Sequence, residues 1–207
     1  MMNAQRAAAV VPLMSSGSAQ DGGMVLGSSP VRLEPLSSTH AEDLARAAAT
    51  LPDIWYVDHV PAPEGVGEQI AFLVASDNYR PWAIIDAAAN RAVGITCIYN
   101  VDEHNKHCEL GHTWISADVQ GSYVNPAAKL LLLTHVFEDL RFMRAEFRCH
   151  TMNFQSRRAL ERLGAKFEGE LRRYRIMNNG TVRDSRIYSI LDYEWPMVKC
   201  GLEARLA

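Results

Sequence analysis

The feature that most constrains the fold is a short polar loop between a predicted strand, residues 109–115, and a strongly apolar predicted helix, residues 126–140. The loop consists of Gln120, Gly121, Ser122, Tyr123, Val124 and Asn125. Asn125 is a residue type favoured at a helix N-cap, and Pro126 suits the first helical turn, where no N–H is needed. Backbone N–H groups at such a helix start carry partial positive charge and bind anions, phosphate above all. The pattern therefore predicts a site for the pyrophosphate of a nucleotide or cofactor.

Strands and helices alternate along the rest of the chain. The sequence predicts strands over residues 31–36, 81–86, 93–101 and 144–150, and helices over residues 38–49, 68–76, 153–163 and 197–206. Two final strands flank Asn179-Gly180, the strongest short hairpin signal, and a two-residue turn there places Arg175 opposite Asp184. This order is compatible with one mixed sheet covered by helices.

Composition narrows the class of protein. A length of 207 residues fits one domain, and 48% hydrophobic with 22% charged residues is typical of a globular protein. A net charge of −3 gives no general attraction to nucleic acid or to a membrane. Cys97, Cys108, Cys149 and Cys200 are widely spaced. They suit neither a zinc site nor a disulfide framework, and indicate reduced cysteines in the cytoplasm.

The N-terminus permits two interpretations. Residues 7–14 are apolar and precede a Ser/Gly segment, which faintly resembles a signal peptide with only Arg6 as its positive charge. We favour a disordered extension over residues 1–29, followed by one domain over residues 30–207. No apolar run approaches the roughly 18 residues of a membrane span.

Several motifs after the loop carry a family resemblance. In chain order they are Glu109-Leu110-Gly111-His112-Thr113-Trp114, Asn153-Phe154-Gln155-Ser156-Arg157-Arg158, Leu163-Gly164-Ala165-Lys166-Phe167-Glu168-Gly169, Asn179-Gly180-Thr181-Val182-Arg183-Asp184 and Tyr188-Ser189-Ile190-Leu191-Asp192-Tyr193-Glu194-Trp195-Pro196. Together they resemble the GNAT superfamily of acetyl-CoA-dependent N-acetyltransferases, in the branch of the ribosomal-protein acetyltransferases RimJ and RimL. The resemblance covers residues 31–195. It implies an α/β (mixed α+β) fold: one central, mixed, mostly antiparallel twisted sheet of about seven strands, with helices on both faces.

The loop departs from the family pattern, which has glycine where Tyr123 and Asn125 stand. Glycine suits such loops because it accepts positive φ and lets the backbone approach phosphate. Either Tyr123 keeps an ordinary φ with its ring turned outward, which we favour, or cofactor binding is weakened.

The resemblance also implies roles for single residues. The amides of the loop hold the pyrophosphate of acetyl-CoA, and the strand at Trp114 and Ile115 splays open to pair with pantetheine. Asn153 contacts the pantetheine arm, and Ser156 protonates the departing thiolate. Each residue also has a plain structural explanation: Trp114 as a core aromatic, Asn153 as an N-cap and Ser156 as an inert serine in a first helical turn.

The general base and the acceptor pocket are less defined. Glu109 is the candidate base; alternation puts His107 on its face of the strand and His112 on the opposite face. The position where RimL carries its base is Arg175 here, so that role does not transfer. Trp55, Tyr56 and Asp58 are expected to line the acceptor pocket; the alternative is that Trp55 packs in the core and Asp58 is solvated.

These observations predict an acetyl-CoA-dependent N-acetyltransferase that works by direct transfer in a ternary complex, without a metal. With no strong base, an α-amine is favoured, because about a tenth of such groups are neutral at pH 7, against fewer than about one lysine in a thousand. The acceptor is then a protein N-terminus or a small-molecule amine. The alternative is a non-catalytic acyl-CoA-binding or regulatory protein. A nucleotide-triphosphate enzyme is not supported, because no Gly-Lys-Ser/Thr follows the loop. Dimers are common in this family, but no residue here demands one.

Overall fold

A seven-stranded sheet organises the computed structural model, which describes residues 24–207. The strands are β1 (Val31–Pro35), β2 (Tyr79–Asp86), β3 (Arg91–Asp102), β4 (His107–Ile115), β5 (Arg144–His150), β6 (Lys166–Ile176) and β7 (Val182–Leu191). The helices are α1 (Ala41–Ala48), α2 (Val66–Ala75), α3 (Val124–Thr134), α4 (Phe154–Leu163) and α5 (Trp195–Leu206), and α3 continues into a π-helical turn, His135–Asp139. The strand order is β1-β2-β3-β4-β5-β7-β6, antiparallel except between β4 and β5. The predicted α/β class and mixed sheet of seven strands are confirmed.

Helices cover both faces of this sheet. On one, called the α2 face, α1 and α2 bury Leu44 and Leu73 against β2, β3 and Trp114 of β4. On the other, called the α3 face, α3, α4 and α5 bury residues such as Leu132 and Leu160. Apolar residues occupy most of the circumference of α3, as expected of a helix packed between a sheet and other helices.

The sheet opens between its two central strands. β4 and β5 pair in parallel at only three positions, of which Glu109 and Glu146 are the last. Residues 110–115 of β4 and 147–150 of β5 have no pairing with each other. Between them lies a wedge-shaped opening, called here the β4–β5 cleft. Because the strands no longer share hydrogen bonds there, β4 can offer backbone groups to a ligand.

Two local predictions were wrong. Helix α3 begins at Val124 with Tyr123 at the N-cap position, so Asn125 lies inside the first turn. The Ser122 hydroxyl accepts the Val124 N–H at 3.2 Å and does the capping that Asn125 was expected to do.

The second error concerns the β6–β7 hairpin. Arg175 pairs with Arg183 and Ile176 with Val182, and the Met177 N–H donates to the Thr181 carbonyl at 2.8 Å. The loop is therefore the three residues 178–180, and its last residue, Gly180, has φ +80°. Such a loop is the next commonest hairpin connection and shifts the register by one residue. Arg175 therefore does not face Asp184.

The last six residues of the predicted N-terminal extension, residues 24–29, lie within the part of the chain that the structure describes. Leu26 forms a bridge with Leu33, and the Trp82 indole donates to the Met24 carbonyl at 3.2 Å. Met24 and Leu26 thus contact the sheet, while the rest of the predicted extension, residues 1–23, lies outside the described residues. Within residues 24–207, no helix combines the length and apolarity needed to span a membrane.

Candidate active site

The loop before α3 keeps unpaired backbone donors at the mouth of the cleft. Gly121 has φ +76°, whereas Tyr123 has an ordinary helical φ of −67°, as favoured from the sequence. The Tyr123 hydroxyl donates to Asp86 Oδ1 at 2.9 Å, which holds the half-exposed ring against β2. Among the described residues, the Gly121 and Tyr123 N–H groups have no hydrogen-bond partner. The loop therefore offers an anion two free donors beside a helix N-terminus.

Helix α4 begins on the other side of this mouth. Asn153 Oδ1 accepts the Ser156 N–H at 2.9 Å, so the N-cap interpretation holds, and the amide end of Asn153 stays available. Gln155 donates to Gln120 Oε1 at 3.2 Å, and Gln120 donates to the Ile115 carbonyl at 3.2 Å. These bonds connect α4, the loop and the end of β4, so both helix starts border one opening.

A β-bulge in β4 changes which side chains line the cleft. Cys97 pairs with Gly111 and Ile95 with Trp114, so the two residues between them on β4, His112 and Thr113, face one residue of β3. His112 takes a left-handed φ of +51°. The extra residue moves its side chain to the α2 face, the face of Glu109. The prediction that Glu109 and His112 lie on opposite faces was therefore wrong, because simple alternation fails at a bulge.

On the α2 face, the bulge contributes to a cluster of polar rings and amides. Gln69 of α2 lies 3.3 Å from His112 Nε2, donates to the His59 carbonyl at 2.7 Å and accepts the Trp114 indole N–H at 3.3 Å. Desolvation lowers the pKa of His112 to about 4, and desolvation also lowers the pKa of His59. Both imidazoles are consequently neutral at pH 7. The Trp114 side chain is a buried core aromatic, while its backbone borders the cleft.

Glu109 lies at the closed end of the cleft and is held by three donors. These are the Tyr99 hydroxyl, the Asn100 amide at 3.0 Å and the Arg148 guanidinium at 3.4 Å. Desolvation raises the pKa of Glu109, although the Tyr99 and Arg148 contacts oppose the shift. His107 lies at the start of β4, 3.6 Å from Asp102. A carboxylate can accept about four hydrogen bonds, so these three contacts occupy most of the acceptor capacity of Glu109. Its role as the general base stays a prediction.

The loop between α1 and α2 covers the α2 side of the cleft. Asp58 forms an ion pair with Arg175 of the β6–β7 hairpin, and the Asn179 amide donates to the Trp55 carbonyl at 2.9 Å. Trp55 is 55% exposed, so it does not pack in the core, and Asp58 is paired and mostly buried. The structure thus brings Trp55, Tyr56 and Asp58 together beside the cleft.

His150, which the sequence did not indicate, completes this wall at the end of β5. Its ring lies 5.5 Å from the Trp55 ring and 5.7 Å from the Tyr56 ring, measured between centroids. Nδ1 accepts the Met152 N–H at 3.0 Å, which leaves the proton of the neutral ring on Nε2. That Nε2 is buried without a partner among the described residues. A buried donor of this kind is costly unless a ligand accepts from it.

The α3 side of the cleft carries one charge that sequence reasoning also passed over. Lys129 is the single charged residue of α3, and its Nζ donates to Thr113 Oγ1 at 3.3 Å. The sequence feature that could have identified Lys129 is a single positively charged residue in an otherwise apolar helix. Among residues 24–207, no group of three or more His, Cys, Asp or Glu side chains is placed to hold a metal ion.

Comparisons with known proteins agree with this geometry. Residues 31–166 match the family model described as "Acetyltransferase (GNAT) domain". The chain is 33% identical over 102 residues to "Putative ribosomal N-acetyltransferase YdaF" of Bacillus subtilis, a match that spans 49% of this chain but only 55% of that protein.

Two solved structures share the architecture. A GCN5-related N-acetyltransferase from Brucella melitensis superposes with a TM-score of 0.82 at 29% identity, over 89% of this chain and 86% of its own. Mycobacterium smegmatis RimJ, solved in complex with CoA-disulfide, gives a TM-score of 0.68 over 84% of this chain and 88% of its own. Its 23% identity shows the shared fold alone. From the matched family model and the open β4–β5 cleft, we conclude that this chain belongs to the GNAT acetyltransferase family.

Proposed function

We propose that the protein transfers an acetyl group from acetyl-CoA directly to a primary amine, the α-amino group of a peptide or of an amino-acid-like small molecule. The observation that carries this proposal is the cleft itself. One end opens between the free N–H groups of the loop and the start of α4, and one side is covered by the aromatic pocket of Trp55, Tyr56 and His150.

The residues at the mouth of the cleft fit acetyl-CoA. The unpaired N–H groups of Gly121 and Tyr123 would take the pyrophosphate, and the backbone at Trp114 and Ile115 would pair with the pantetheine arm. The free amide end of Asn153 would contact the same arm. Acetyl-CoA supplies the activated acyl group. The chain supplies orientation and donors for the developing oxyanion, often the largest catalytic contribution.

The α2 face offers no strong general base among the described residues, and this determines which acceptor suits the site. Glu109 is occupied by three donors, and His112, with a pKa near 4, accepts protons only weakly at pH 7. An acceptor that is already partly neutral therefore suits the site, and an α-amine with a pKa near 8 meets this condition whereas lysine does not. The buried Nε2–H of His150 would donate to a carbonyl near that amine.

The name of the B. subtilis relative supports a ribosomal-protein N-terminus as the acceptor. The four free cysteines, three of them buried, support a reducing compartment such as the cytoplasm.

The first test is calorimetric titration with acetyl-CoA of the wild type and two variants, Gly121→Asp and Gly121→Asn. A Cβ at Gly121 meets no atom within 4 Å, and both variants bear the same strain of φ +76°. Only aspartate adds a negative charge, which repels the pyrophosphate. At a separation of roughly 5 Å this repulsion costs about 2–3 kcal/mol of binding free energy, which raises the Kd by about 30–150-fold. Equal affinity of the two variants would place the cofactor elsewhere.

The second test measures CoA release with a panel of peptides bearing different N-terminal residues, and with lysine side-chain amines as the comparison. We expect turnover on α-amines and little on lysine. Acetyl-CoA binding without turnover on any amine would instead support the non-catalytic acyl-CoA-binding alternative.

A further inference from the structure

Lys129 occupies an unusual position under the opening of the sheet. It lies in the second turn of α3 on the α3 face. Its Nζ donates to Thr113 Oγ1 of β4 at 3.3 Å and lies 5.8 Å from the centroid of the Phe147 ring of β5. Thr113 and Phe147 lie beyond the last paired position of the two strands. The ammonium group therefore bridges the two walls of the β4–β5 cleft.

No counter-charge accounts for this ammonium. Lys129 is half-buried and forms no ion pair with any residue between 24 and 207, although charges withdrawn from water are usually paired. The groups around it are the Thr113 hydroxyl and the Phe147 ring. Its stem borders a small cavity between α3, α4 and α5 whose other charged residues, Arg162 and Arg205, are cations as well. A site of this kind favours an anion that arrives with a ligand.

Resting on the proposed function, we propose that Lys129 is a catalytic acid: its ammonium faces the sulfur of CoA and protonates it as acetyl transfer completes. As the nitrogen–carbon bond forms and the carbon–sulfur bond breaks, the sulfur takes the bonding electron pair. Lys129 Nζ gives one proton to that sulfur and becomes a neutral amine. It recovers a proton from the pool that receives the proton lost by the acceptor amine, so the cycle is balanced.

The environment of Lys129 suits this role. Desolvation lowers its pKa to about 8, close to the value of about 8.5 for an ordinary thiol, so proton transfer to the thiolate is nearly balanced. General acids work best when their pKa lies near the working pH. Ser156, the acid implied by family resemblance, is a neutral hydroxyl in the first turn of α4, and a hydroxyl is a far weaker acid than an ammonium.

The decisive readout is the titration of the thiol of bound CoA, which needs no acceptor. Thiolate absorbance is followed against pH in the CoA complex, with the desulfo-CoA complex as the blank for the cysteines of the protein. An opposite charge within about 4–6 Å lowers a pKa by about 1–3 units, so bound CoA should titrate at least about one unit below free CoA. Lys129→Met should abolish this lowering. Lys106→Met, which removes a lysine packed on Phe142 outside the cleft, should preserve it.

Turnover then separates charge from proton donation. Lys129→Arg keeps the positive charge, but a guanidinium with a pKa above about 12 is a poor acid. We expect it to retain the lowered thiol pKa while losing kcat on the order of 100-fold, as Lys129→Met does, with little change in KM. A Ser156→Ala variant should keep the lowered thiol pKa of bound CoA, because it leaves the ammonium in place.

The outcomes distinguish this proposal from the proposed function. If CoA binds the wild type and its thiol titrates alike in wild type and Lys129→Met, Lys129 is not next to the sulfur and the proposal is overturned. Full turnover by both Lys129 variants would overturn it too, while leaving the acetyltransferase function intact. Failure of the wild type to bind CoA would overturn both.

Discussion

Gly94 of β3 offers a direct test of the cleft geometry, because its backbone lies against β4 where that strand leaves β5. It pairs with Ile115. A Cβ added at Gly94 would lie 2.2 Å from the Trp114 carbonyl oxygen and 2.9 Å from Ile115 Cα. Carbon atoms settle at about 3.5 Å or more from such neighbours, so Gly94→Ala must displace the β4 backbone by roughly 1 Å.

The expected cost has two parts. Overpacking of this kind destabilises a fold by about 1–3 kcal/mol, and the contact here is with backbone, which yields less readily than a flexible side chain. Displacing the cleft wall by about 1 Å misplaces the reacting groups, which can lower turnover by about 100-fold. Gly169→Ala in β6 is the matched control, because a Cβ there meets no atom within 4 Å. Where the backbone permits alanine, the exchange gains about 0.4–1 kcal/mol.

Urea unfolding measures the loss of stability, and the rate of CoA release with a peptide acceptor measures the loss of turnover. Calorimetry with acetyl-CoA shows whether binding is weakened as well. We expect Gly94→Ala to unfold at a clearly lower urea concentration than Gly169→Ala and to bind acetyl-CoA more weakly than wild type. If Gly94→Ala has wild-type stability and wild-type affinity, β3 and β4 are not in contact as described. The end of β4 would then not form the wall of the cleft.

Two further predictions concern the α2 face. The pKa of His112 is about 4 in the folded protein and about 6.5 in the unfolded chain. Between these pH values the unfolded chain binds more protons than the folded protein. The free energy of unfolding should therefore fall by about 1–3 kcal/mol as the pH drops from 6.5 to 4. Asparagine tolerates the positive φ of this position, so His112→Asn is a suitable variant. Between pH 6.5 and 4.5, its free energy of unfolding, measured with urea, should fall by less than that of the wild type. Asp58→Asn breaks the ion pair with Arg175 and should raise the KM for the acceptor several-fold without changing the Kd for acetyl-CoA. The control is Glu42→Gln, which breaks the exposed pair with Arg46 in α1 and should change neither constant. A rise in the Kd for acetyl-CoA in Asp58→Asn would show that the loop shapes the cofactor side instead.

The elements with strong local signals could be predicted from the sequence. Residues 144–150 form β5 as predicted, and α4 has Asn153 at its N-cap and ends at Gly164, which takes φ +98°. In both cases the determinants lie within a few residues of the element. The mixed sheet followed from the order of such elements, and the family from the resemblance of the motifs between Glu109 and Pro196.

The hairpin register could not be fixed in this way. Asn179-Gly180 is compatible with a two-residue turn and with the three-residue loop that the structure has, because glycine supplies the left-handed position in either. The choice depends on a distant partner. In the observed register Arg175 pairs with Asp58 of the loop between α1 and α2, whereas the predicted register would have used Asp184 locally. A contact between residues so far apart in sequence leaves no periodicity to detect.

The bulge at His112 shows why the chemistry of the site was harder to predict than its fold. One extra residue in β4 puts His112 with Gln69 and His59 on the α2 face and leaves Thr113 with Lys129 on the α3 face. The two sides of the cleft therefore differ: neutral imidazoles lie on one, and on the other lies an ammonium that has no ion-pair partner among residues 24–207. In the proposed reaction an uncharged amine would approach over the imidazoles, and the sulfur would gain negative charge beside the ammonium. A register without the bulge would turn His112 toward Lys129 and remove this division. In the proposed reaction, the bulge that breaks strand alternation would therefore also separate the acceptor side from the leaving-group side.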